Sequence, residues 1–218
     1  MQPEGSVTRM LAHLFRIAVA TSVIGSVAAA QQSQRAGPQL RTSSFVFARY
    51  ASGSASVLYA ARGLGAAGGF VGMVQNPETQ YRELVAGAYT QLNWSGQSLL
   101  VALGYADASE SQYLQTYITP SFAAGDFELS GTLEWYIPLG RAGVRQFDMN
   151  PVSLEARLSD HVRAGAAYTL SLAHDEAAHH RIGPVLEWAA QRDKLRLELL
   201  HRTVGETVEV RAIILAAF

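Results

Sequence analysis

From Phe127 to Ile137 the chain alternates between two kinds of residue. Phe127, Leu129, Leu133, Trp135 and Ile137 fall on one side of a period of two, and Glu128, Ser130, Thr132, Glu134 and Tyr136 fall on the other. The pattern returns over 152–158, 195–202 and 208–218. There Glu155 and Arg157, then Arg196, Glu198 and Arg202, then Glu209 and Arg211 keep to one face, while Val, Leu, Ala, Ile and Phe take the other. Arg82 beside Glu83 departs from this rule at the mouth of its strand. Runs of this type predict strands near 45–51, 55–63, 69–75, 82–94, 98–106, 113–122, 127–137, 151–158, 162–173, 182–191, 195–202 and 207–218. The expected count is therefore about twelve, with ten the smaller alternative. The uncharged stretch 84–106 breaks at its polar middle into a hairpin, so it is not a spanning helix.

The connectors sort by parity. Those at 95–97, 124–126, 159–161 and 192–194 are tight, whereas 75–81, 107–112, 138–150 and 174–181 are longer and more polar. Short turns at one rim and longer loops at the other are what an all-β, antiparallel, up-and-down transmembrane barrel shows, with both chain ends on the short-turn side.

Composition narrows the setting. Charged residues make up 16% of the chain, against about a quarter in soluble domains, and 17 basic residues face 18 acidic ones, a balance that excludes a nucleic-acid binder. The absence of cysteine excludes a disulfide scaffold or a thiolate metal site. Residues 1–30 read as a cleaved signal peptide: Arg9, His13 and Arg16 form a basic start, Ile17 to Val27 an apolar run, and Ala28 to Ala30 the small residues a peptidase needs. Residues 31–43, rich in Gln and Ser, read as a flexible leader, and 44–218 as the barrel. No cofactor is expected.

Together the export segment, the alternating segments and a last strand that ends on Phe218 resemble the small outer-membrane β-barrels of Gram-negative bacteria. The resemblance implies a bacterial outer-membrane location and contact with outer-membrane lipid. It also makes Phe218 the end of the signal read by the barrel-assembly machinery. Secretion or export partners would follow if the barrel were an accessory or scaffold of a secretion or surface-polymer system.

The face opposite the lipid carries Glu128, Glu134, Glu155, Arg157, Arg163, Glu187, Arg196, Glu198, Arg202, Glu209 and Arg211. Neither sign dominates, so these residues are expected to pair across the lumen of a narrow channel for small solutes or ions. A tight turn on Gly205 and Glu206 would set Arg202 opposite Glu209; a longer connection over Thr203 to Glu206 would set Glu198 opposite Arg211. A lipid-modifying enzyme is the other alternative. Ser171 with His174, Asp175, His179 and His180 supplies the residue types for hydrolysis or a metal, but in no recognised motif, so no catalytic or metal residue is assigned.

Overall fold

A computed structural model of the chain describes residues 38–109, 111–174, 176–191, 193–202 and 207–218, with only the backbone of Arg202. The export segment, Asp175 and the connection Thr203 to Glu206 lie outside the described residues. The strands are β1 (Gln39–Leu40), β2 (Phe45–Ala51), β3 (Ser56–Gly63), β4 (Gly68–Asn76), β5 (Tyr81–Trp94), β6 (Gln97–Ala108), β7 (Gln112–Ala124), β8 (Phe127–Pro138), β9 (Gln146–Arg157), β10 (Val162–Ala173), β11 (His179–Ala190), β12 (Asp193–Arg202) and β13 (Val208–Ala217).

From β2 to β13 each strand pairs antiparallel with its chain neighbours, and β13 returns to β2 with Ala217 opposite Phe45 and Arg211 opposite Ala51. The sheet closes as a twelve-stranded up-and-down barrel without edges. At the rim that holds the first residues of β2 and the last of β13, the turns are short. The β5–β6 turn, for example, consists of Ser95 (φ 46°) and Gly96 (φ 78°), two successive left-handed residues of the kind that joins twisted strands. The opposite rim carries the longer 139–145 and 174–178 connections.

The period of two separates lipid face from lumen. On β12, Leu197 and Leu199 are each 48% exposed, whereas Glu198 between them is 2% exposed. Arg82 likewise points out and Glu83 in, so their apparent conflict is one more reversal of the pleat. Outer aromatics gather towards both rims, with Trp94 on Phe122 near the short turns (ring centroids 6.1 Å) and Trp135 on Phe147 near the loops (4.9 Å).

Two features differ from the sequence expectation. Strand β9 begins at Gln146, not 151, because Asn150 and Pro151 form a bulge: the registers with β8 and β10 both slip there, between Gly131 and Leu133 and between Tyr168 and Leu170. The bulge inverts the alternation, so that Gln146, Asp148 and Asn150 face inward on one side of it and Ser153 and Glu155 on the other. The second feature is β1. The β3–β4 hairpin ends at Gly63 and Gly68, below the tip of β5, and β1 covers the exposed edge with Gln39 opposite Asn93 and Leu40 opposite Leu92. Thr42 fastens the segment through its hydroxyl to the Gly65 carbonyl at 2.9 Å.

Candidate functional site

The lumen is divided lengthwise. On the side of β8 to β13, inward charges form one continuous network. Arg163 pairs with Glu128, and Lys194 lies 3.9 Å from Glu128 and 3.1 Å from Glu187. Arg196 bonds Glu155 on β9 and, through Nε, Glu198 at 2.6 Å. Arg211 donates to Glu209 at 2.5 Å and to Asn150 on β9 at 2.8 Å, and Arg181 meets Glu209 at 3.0 Å. Several of these contacts are not between neighbouring strands. Arg196 and Arg211 reach from β12 and β13 back to β9, across β10 and β11, and so act as struts.

Small residues make room for the struts. Under them Gly165 and Ala167 on β10 and Gly183 and Val185 on β11 face inward, and Ala167, Val185 and Leu200 pack into a fully buried apolar cluster. Five acids and five bases take part in this network, so its charges cancel.

The side of β2 to β7 is built differently. Tyr59, Phe70 and Tyr117 meet edge to face at 6.0–6.3 Å between centroids, with Phe45 against Tyr89 at 5.8 Å beside them. These rings lie on glycines. A Cβ at Gly72, directly opposite Tyr59, would sit 1.9 Å from its ring, and Gly87 and Gly104 leave similar room for Phe70. A chain of polar contacts tops the cluster: the Tyr117 hydroxyl donates to Gln115, whose amide donates to Glu83 (2.8 Å), which also accepts from Tyr81 (2.5 Å).

Between the struts and the aromatic wall runs a cavity of about 770 Å³, lined by Ser98, Ser121 and Glu128 near the short turns and by Tyr81, Ser171 and Arg181 near the loops. It is a passage-shaped space on one side of a barrel whose other side is filled.

No family model matches the sequence, and no curated protein matches it either. Solved structures do. A KdgM porin superposes with a TM-score of 0.56 at 9% identity, over 81% of this chain and 99% of that one. The fold is that of the outer-membrane porins. A NanC porin (TM-score 0.51, 11% identity, 80% of this chain and 98% of that one) has the same architecture. So does the COG4313 outer membrane channel from Pseudomonas putida F1 (0.52, 11%, 87% and 100%).

Within this porin fold, Glu128, Glu155, Arg163, Glu187, Arg196, Glu198, Glu209 and Arg211 all sit in the strut network. Glu198 is directly opposite Arg211, the register of the longer connection. Glu134 faces the cavity instead, holding the Tyr136 hydroxyl at 2.5 Å, and Arg157 stands exposed at the short-turn rim. The side chain of Arg202 lies outside the described residues. Phe218 follows the last strand, its N–H donating to the Ser44 carbonyl at 2.9 Å.

The sequence reading missed Arg49, Glu83, Asp148, Arg181 and Lys194 as lumen residues. Asp148 and Arg181 had been placed in connectors and Lys194 in a turn, so strand ends drawn too short concealed them. Of the hydrolase set, the Ser171 hydroxyl accepts from Gln146 (3.3 Å), while His180 bonds the Tyr168 hydroxyl (2.6 Å) on the outer face. Among the described residues no group of three or more His, Asp or Glu side chains is placed to hold a metal ion.

Proposed function

We propose that the protein is a narrow outer-membrane channel for small solutes, with the passage running along the aromatic wall and the Arg/Glu network serving as the packing of the opposite side. The single observation that carries this reading is the cavity of about 770 Å³ lined from one rim towards the other. Twelve strands place the barrel between eight-stranded ones filled by side chains and wide sixteen-stranded ones, and the struts narrow it further. An enclosed scaffold barrel would have no use for hydroxyls, amides and carboxylates along such a cavity. Assembly would proceed through the barrel-assembly machinery reading the strand that ends at Phe218, after export through a cleaved signal peptide.

Conductance in planar bilayers tests the channel directly. The expected result is discrete, small conductance steps from the purified barrel. A protein that inserts, migrates as a folded barrel and passes no current would overturn the channel and favour an accessory barrel.

A further inference from the structure

The loop-side half of the cavity separates its charges. Glu134 on β8 and Asp148 on β9 are directly opposite each other in the register, so two carboxylates project side by side into the lumen. Their partners are neutral donors, the Tyr136 hydroxyl at 2.5 Å and the Gln146 amide at 2.8 Å. One oxygen of Asp148 is buried with no hydrogen-bond partner among the described residues. Like charges facing each other across a ladder are destabilising unless a cation intervenes. Yet no arginine or lysine among the described residues forms an ion pair with either.

Arg49 on β2 lines the same cavity. It is 9% exposed, its Nε has no partner among the described residues, and its one hydrogen bond is a long one, 3.4 Å from Nη2 to the Ala55 carbonyl. A buried guanidinium without an anion is as costly as the carboxylates without a cation. The two incomplete sites open on one space, and Tyr59, Tyr117 and Tyr136 stand around it, rings suited to the face of an ammonium group.

We propose that this part of the lumen is a binding station for a small zwitterionic solute, one that carries an ammonium group and a carboxylate. The carboxylate would take the fork of Arg49, and the ammonium would sit between Glu134 and Asp148 against the tyrosines. The solute class rests on the channel reading, but the station itself does not require conduction. A free cation would satisfy only the acids and a free anion only Arg49, so the site discriminates by the separation of charge within one molecule.

The test is titration calorimetry of the detergent-purified protein with three probes: glycine betaine, tetramethylammonium and acetate. Saturable binding of glycine betaine, about tenfold tighter than either single-charge ion, is expected, with a loss of about tenfold in Arg49→Gln and in Asp148→Asn. Equal binding of tetramethylammonium and glycine betaine, or no saturable heat with glycine betaine, would overturn the proposal. If either variant fails to migrate as a folded barrel, the ranking of the three probes on the parent decides. Betaine binding by a protein that passes no current would sustain the station and refute the channel. Current without betaine binding would do the reverse.

Discussion

The two halves of the lumen solve the same packing problem by opposite means. From β8 to β13 the inward positions are long charged side chains over a floor of Gly165, Ala167, Gly183 and Val185. From β2 to β7 they are rings laid on Gly72, Gly87 and Gly104. Both combine small residues with large ones, but only the first reaches across. A salt bridge spans several strands because an arginine is long and its partner fixes its end, whereas a ring packs flat on its own wall and leaves the space before it open. A barrel can therefore be part filled and part open without any inserted loop, and the choice of residue type along each strand decides which part is which.

This contrast can be broken from either side. The largest effect is expected at the struts: Arg196→Ala leaves Glu155 and Glu198 buried without their cation, a loss of about 3–5 kcal/mol. Urea unfolding in lipid vesicles, followed by tryptophan fluorescence, measures it. A loss below about 1 kcal/mol would put Arg196 among surface pairs and deny that struts hold this half.

A smaller effect is expected where a ring must move. Gly72→Leu forces Tyr59 off its seat at a cost of about 1–3 kcal/mol and pushes the ring into the cavity. Conductance should fall along with stability, and unchanged conductance would mean that the open space is not the passage. The smallest effect is expected from Tyr117→Phe, which keeps the ring but removes the hydroxyl shared by Tyr59 and Gln115. A loss of about 0.5–1.5 kcal/mol in the same unfolding assay is predicted, well below that of the strut variant.

The two halves were also unequally legible in the sequence. In β8, β12 and β13 charge marks the inner face and leucine, valine or isoleucine the outer, so alternation reveals strand and orientation together. In β3 the inner face carries Val57, Tyr59 and Ala61 and the outer Leu58 and Ala60, so the period of two has no contrast to display. The strands there were recognisable, but the aromatic wall was not, since its rings come together only when β2, β3, β4, β5 and β7 are aligned by register. The bulge at Asn150 and Pro151 hid Asp148 for a different reason. A pattern that inverts within one strand reads as the end of that strand, and pairing on both sides is needed to see it continue. Arg49 was missed because a lone arginine in a seven-residue strand looks no different from a rim charge.

The central claim is that solutes pass along the aromatic side and that the ionic side is closed. Because the chain contains no cysteine, single thiols can be placed on either side against a silent background. Thr119→Cys faces the cavity, and Ala167→Cys lies beneath the struts at a position 1% exposed. With each variant conducting in a planar bilayer, a charged, water-soluble thiosulfonate reagent is predicted to cut the current of Thr119→Cys and to leave that of Ala167→Cys unchanged. Modification of Ala167→Cys with loss of current, while Thr119→Cys stays unaffected, would place the passage on the other side of the barrel and contradict the account.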